Sequence, residues 1–194
     1  MDPLIPVAKP DIMNAMKLLV LGLVAGPLLS CLSSLSAAVV AGLKTGDLAP
    51  KFEGIDQDGK PWKLTDHLGK EMVLVYFYPK DDTPGCTAEA CGLRDRMGDL
   101  NKDRVVVVGV SFDSPDSHKK FIAKYHLNFP LLADTEGKIA DQFGARRGPD
   151  VKMAKRVSFL IGLDGKLVHI TDNSSAAVHL EEMQTAVAQL KKAN

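Results

Sequence analysis

From Leu43 onward the chain alternates short apolar runs with polar breaks marked by Gly, Pro and Asp, and the period of each run predicts its element. Phe52 to Ile55 and Trp62 to Leu64, joined through Gln57-Asp58-Gly59-Lys60, predict a β-hairpin with Asp-Gly in its turn. Met72 to Tyr78 is a near-continuous apolar run of seven residues, which predicts a strand buried on both faces. Thr87 to Leu100 has Leu93, Met97 and Leu100 at helical spacing, with Arg94, Asp95, Arg96 and Asp99 on a solvated face. Val105 to Ser111 predicts a second buried strand. Ser114 to His126 predicts a helix, because Ser114-Pro115-Asp116 supplies an N-cap, a proline and an acidic first turn.

The later chain continues the pattern. Phe129 to Leu132 predicts a short strand, and Thr135 to Phe143 a short helix stopped at Gly144. Arg156 to Ile161 and Lys166 to Thr171 predict two antiparallel strands about the Asp164-Gly165 turn. Ser175 to Lys192 predicts a closing amphipathic helix with Val178, Met183, Val187 and Leu190 inward and lysines at its C-terminal end. Hairpin, strand, helix, strand, helix, strand, helix, hairpin, helix is an α/β order. Right-handed crossovers make its first strands parallel and the late tight turn makes its last pair antiparallel, so the central sheet is mixed and flanked by helices. No repeat and no second folded domain is expected.

Residues 1–41 read differently. Met16-Lys17 precedes the apolar Leu18 to Ala25, a Gly26-Pro27 break, and small residues at Ser36-Ala37-Ala38 and Val39-Val40-Ala41, which are the parts of a secretory signal. The interruptions make a poor spanning helix. Asp2 and Asp11 do not suit an export signal, which places the expected translation start at Met13 or Met16. Leu28-Leu29-Ser30-Cys31 also has the form of a bacterial lipobox, so the expectation is an exported protein of the bacterial periplasm, or one anchored to a membrane through lipidated Cys31. The folded domain is then 42–194.

Composition narrows the classes. The 194 residues carry 24 basic and 24 acidic side chains, a zero formal charge that argues against nucleic acid as the main partner. Three cysteines make no disulfide scaffold, and with Cys31 in the leader they point to redox use of the other two. His67, His118, His126, His169 and His179 are scattered without ligand spacing and read as surface or packing residues, so no metal and no cofactor is expected. Trp62 reads as a packing residue of the hairpin.

The chemistry centres on Pro79-Lys80-Asp81-Asp82-Thr83-Pro84-Gly85-Cys86-Thr87-Ala88-Glu89-Ala90-Cys91. Thr83 is a good N-cap and Pro84 is favoured in a first helical turn, so Cys86 is delivered to a helix N-terminus. There the dipole and the unpaired amides favour thiolate over thiol, which makes Cys86 a candidate nucleophile. Thr83 can turn its hydroxyl toward the sulfur or serve as a plain cap, and Pro79 can shield the thiolate or simply end the strand. In a regular helix Cys86 and Cys91 lie on roughly opposite faces with Cα atoms about 8–9 Å apart, beyond the roughly 7 Å that a disulfide spans. Joining them requires local unwinding. A structural or metal-ligating pair remains the alternative, although four intervening residues depart from the usual spacing of two. Glu89 is expected on the exposed side of the first turns, complementing the helix N-terminus.

Pro79, Thr83 and Cys86 match the Pro-x-x-x-Thr-x-x-Cys signature of peroxiredoxins, and Thr83-Pro84-Gly85-Cys86-Thr87 followed by Cys91 resembles the bacterioferritin comigratory protein, or PrxQ, branch. The resemblance runs from about Leu43 to the C-terminus, where Asp47 to Phe52 is similar to the opening segment of thioredoxin-like peroxidases. It implies a thioredoxin-like fold and a thiol peroxidase acting on hydroperoxides. In it Cys86 is the peroxidatic and Cys91 the resolving cysteine, recycled by thioredoxin or a thioredoxin-like donor, in a monomer. It also places the family's distal arginine at Arg156, ahead of the competitors Arg146 and Arg147, whose Gly-flanked loop suggests mobile, solvated side chains. The loop from Gly144 to Lys155 is short for the family. Two other readings use the same cysteines: a peroxide-responsive sensor that switches a partner, and a protein-disulfide oxidoreductase, which lacks the Cys-x-x-Cys it would need.

Overall fold

The computed structural model describes residues 42–193. The leader, the start at Met13 or Met16 and the lipobox at Cys31 fall outside the described residues. Among the described residues no helix is long and apolar enough to cross a membrane.

The hairpin forms as a separate two-stranded sheet, β1 (Glu53–Ile55) with β2 (Pro61–Lys63). Asp56 closes it by accepting the amides of Asp58 and Lys60 at 2.8 and 2.9 Å. Trp62 packs as expected, stacked between Phe52 and His67. The central sheet takes β3 (Met72–Phe77), β4 (Val105–Ser111), β5 (Leu131–Ala133), β6 (Val157–Ile161) and β7 (Leu167–Asp172) in the order β5-β4-β3-β6-β7. β3 runs parallel to β4 and β4 to β5, whereas β6 is antiparallel to both β3 and β7. This is the mixed sheet that the crossover and turn rules require.

The apolar run of β3 is explained by its two faces. Val73, Val75 and Phe77 enter one core with Val108, Val110, Phe143, Phe159 and Ile161. Leu74, Tyr76 and Tyr78 enter another with residues of α1 (Pro84–Lys102), α2 (Pro115–Tyr125) and α4 (Ala176–Ala193). A period of two buried on both sides leaves no polar position.

Several boundaries differ from the sequence reading for local reasons. β5 begins at Leu131, after Pro130, which has no amide to donate. α3 (Lys138–Gln142) is shorter than expected because Gly137 has a positive φ of 77° and Asp134 caps the helix, accepting the amides of Ile139 and Ala140 at 3.1 and 2.8 Å. The segment after Leu43, despite its turn residues Gly46, Asp47 and Pro50, is docked on β7: Gly46 donates to the Leu167 carbonyl at 2.7 Å and Leu167 to that of Asp47 at 2.8 Å.

Residue 109 of β4 lacks a side chain, and the side chains of Tyr76 on β3 and Leu131 on β5 fill the space above it. A Cβ on Gly109 would lie 2.5 Å from Leu131 Cδ2 and 2.8 Å from the Tyr76 ring, both fully buried. Gly109→Ala is therefore expected to destabilise the fold by about 1–3 kcal/mol through overpacking, read as a lowered Tm. An unchanged Tm would show that the Tyr76 ring can move.

Candidate functional site

β3 ends where β6 begins, because the two strands are antiparallel, with Phe77 facing Val157. That register brings the loop after β3 and the arginine before β6 to the same edge of the sheet. The chain leaves β3 through Pro79 and enters α1 at Pro84, with Thr83 extended at the N-cap position (φ −95°, ψ 150°). Thr83 does not cap with its side chain. Its hydroxyl instead donates to the Lys80 carbonyl at 3.1 Å. The Thr87 amide donates to the Thr83 carbonyl at 2.8 Å, so the first turn is fully wound.

Cys86 sits in that turn and is 1% exposed. Cys91, in the same helix, is half-buried, and both are free thiols. Arg156 reaches the sulfur: its Nη2 is 3.3 Å from Cys86 Sγ. The same guanidinium pairs through Nη1 with Glu89 Oε2 and donates through Nε to the Ser174 carbonyl at 3.1 Å. Arg156 and Pro79 also line an open groove of about 350 Å³, with Arg147, Lys155 and Asn173 among its other walls.

The competing arginines are hydrogen-bonded to other partners than Cys86. Arg146 was expected to be mobile and solvated, but it is tied to Asp141 and to the Glu136 carbonyl and lies over the Phe112 ring. Arg147 donates to Met153 Sδ at 3.2 Å.

Glu89 corrects the sequence reading most sharply. It is 1% exposed, facing inward beside Arg156. Its position three residues after Cys86 puts the two on one helix face, which was the available signal. What the spacing did not show is that α4 closes over this face. His179 of α4 accepts the Ser158 hydroxyl on Nδ1 at 2.7 Å, donates from Nε2 to the Asn173 carbonyl at 2.8 Å, and stands 3.5 Å from Glu89 Oε1. That carboxyl oxygen has no hydrogen-bond partner. Burial outweighs the neighbouring guanidinium and pushes the Glu89 carboxyl up to about 7. Burial likewise holds His179 below its ordinary value. Among the described residues no group of three or more His, Cys, Asp or Glu side chains is arranged to hold a metal ion.

A helix-start thiol, a guanidinium on its sulfur and a second thiol five residues on are the arrangement of a redox centre, and the comparisons agree. The AhpC/TSA family model matches residues 45–170. The chain is 47% identical over 142 residues to the peroxiredoxin Bcp of Escherichia coli, a match covering 71% of this chain and 90% of the relative. It belongs to the peroxiredoxins, in the Bcp/PrxQ branch. Among solved structures, the Mycobacterium tuberculosis peroxidoxin BcpB is similar at 36% identity and a TM-score of 0.71, covering 78% of this chain and 99% of that one. A Xanthomonas campestris peroxiredoxin Q is similar at 29% identity and a TM-score of 0.65, covering 71% and 90%. These peroxiredoxins share the thioredoxin-like architecture of this chain, a mixed sheet flanked by helices with a separate two-stranded sheet, and membership makes the protein a thiol peroxidase.

The buried Glu89 gives this peroxiredoxin a pH signature. Its native value of about 7 lies above the ordinary 4.5, so the native state holds a proton that the unfolded state releases. Stability is therefore lost as pH rises from 4.5 to about 7. His179, lowered by burial from 6.5, works in the opposite sense, its contribution falling as pH drops through that value. The difference between Glu89→Gln and the native protein isolates the carboxyl. The variant should gain relative stability across pH 4.5–7 in denaturant titrations, and a pH-independent difference would contradict the assignment.

Proposed function

We propose that the protein reduces hydrogen peroxide and organic hydroperoxides at Cys86, resolves the product with Cys91, and is recycled by thioredoxin or a thioredoxin-like dithiol. The observation that carries this is the Arg156 guanidinium 3.3 Å from a sulfur in a helix's first turn. A permanent cation and the helix amides together favour the anionic, nucleophilic form.

The thiolate attacks the terminal peroxide oxygen. An S–O bond forms as the O–O bond breaks, two electrons pass from sulfur, and the departing alkoxide or hydroxide takes a proton to leave as alcohol or water. Arg156 and the amides at the helix start stabilise the charge that moves onto the oxygens. Pro79 shields the sulfur from bulk water, and the Thr83 hydroxyl can swing from Lys80 to a bound peroxide oxygen. Cys86 is left as a sulfenic acid. The Cys91 thiol attacks that sulfur, forming an intramolecular disulfide and releasing water, and the external dithiol restores both thiols while becoming a disulfide itself. Because each chain carries its own resolving thiol, a monomer suffices. With the leader acting as an export signal, the donor is an exported thioredoxin-like protein. The alkyl peroxide reduction activity described for the Xanthomonas campestris bacterioferritin comigratory protein supports organic hydroperoxides as substrates here.

The test is peroxide consumption by residues 42–194 coupled to a thioredoxin system. Many equivalents should be consumed per chain, and a single equivalent would make the protein a sensor. Cys86→Ser should be inactive, and Cys91→Ser should stop at a sulfenic acid detectable by mass. Arg156→Gln should slow Cys86 oxidation about 10²- to 10³-fold, the usual effect of removing one charge-stabilising donor; an unchanged rate would refute its role.

A further inference from the structure

Residues 80–83 lead from β3 into the turn that carries Cys86, and two adjacent aspartates fasten this segment to α2. Asp81 is buried and accepts the Tyr78 hydroxyl at 2.7 Å, the Ser117 hydroxyl at 2.7 Å and His118 Nδ1 at 2.9 Å. The Asp81 amide donates to Asp113 at 2.9 Å. His118 is fully buried, and its Nε2 lies 3.2 Å from the Leu132 carbonyl, which can only accept. His118 Nδ1 also stands 3.4 Å from the Tyr78 hydroxyl, so Tyr78, His118 and Asp81 form one buried polar cluster. The Asp81–His118 contact lies out of water, so solvent does not replace it once lost.

Asp82 makes the second fastening. Its carboxylate accepts Lys124 Nζ at 2.7 Å and the Tyr125 hydroxyl at 2.5 Å. Its backbone has a positive φ of 56°, a left-handed conformation that is uncommon outside glycine and that aspartate tolerates better than most residues. The anchors on α2, at residues 117–118 and 124–125, are separated by about two helical turns. Fixing both ends of so short a span restrains the chain just before Pro84.

We propose that Asp81 and Asp82, with His118 and Lys124 as their counterparts, form a two-point clamp that keeps the Cys86 turn wound. They are positioning residues. The clamp favours the state in which Cys86 meets Arg156 and opposes the unwound state in which Cys86 can reach Cys91, so it sets the partition between peroxide reduction and disulfide formation. This rests on the resolving role proposed above for Cys91.

The two steps should therefore respond with opposite signs when the clamp is weakened, which mere destabilisation cannot produce. The variants are His118→Gln at the buried point and the double variant Lys124→Gln/Tyr125→Phe at the exposed point, the second chosen so that the test survives if the first fails to fold. Quenched-flow mass spectrometry follows sulfenic acid and then disulfide in a single turnover with hydrogen peroxide. Disulfide formation should accelerate by roughly three- to tenfold, the range expected for losing one hydrogen bond of typical net strength, while Cys86 oxidation slows. Hydrogen exchange on the reduced proteins supplies a readout independent of turnover: amides from Gly85 to Cys91 should exchange faster in the variants. Both steps slowing together, neither changing, or unchanged exchange would each overturn the clamp. A native protein that forms no disulfide would overturn the resolving role of Cys91, and the exchange measurement would still decide the clamp.

Discussion

Sulfur and carboxylate share one cation at the heart of this molecule. The guanidinium of Arg156 lies against Cys86 and Glu89, both shut away from water. A charge in such a place is tolerated only when paired, and removing any one partner leaves the others uncompensated. Near neutral pH the Glu89 carboxyl is poised between its two forms, because burial has raised it to about 7. The other Glu89 oxygen faces His179 at 3.5 Å without a hydrogen bond.

The sheet exists, in functional terms, to hold that contact. Five strands with two packed faces make β3 and β6 among the least mobile parts of the fold, since every residue of β6 and nearly every residue of β3 is buried. The antiparallel register between them places the end of one beside the start of the other. A loop and an arginine separated by some seventy positions thereby meet within hydrogen-bonding distance. Preorganisation of this kind spares the chain the cost of arranging donors during reaction.

With the resolving role proposed for Cys91, stability and turnover make opposite demands on the first turn of α1. A wound turn aims amides and Arg156 at the sulfur, yet two cysteines five residues apart in one helix have Cα atoms about 8–9 Å from each other and cannot join. Unwinding a turn forfeits a few backbone hydrogen bonds of about 1 kcal/mol each. Such a barrier is low enough to cross in a catalytic cycle and high enough to be adjusted by what holds the chain just before it.

The order of elements, the mixed sheet, the position of Cys86 at a helix start and its separation from Cys91 were all legible in the sequence, because each follows from periodicity, turn chemistry or helix geometry over a few neighbouring residues. Arg156 was legible only through resemblance, since no local rule says which of several cations meets a sulfur. The burial of Glu89, the partners of His118 and His179 and the tethering of Arg146 were not legible. Each depends on a surface supplied by a distant element, α4 over α1 or α2 against the loop after β3. One-dimensional patterning specifies which face of an element is apolar. Only three-dimensional packing decides which polar groups are trapped behind that face, and so which of them carry unusual charge states.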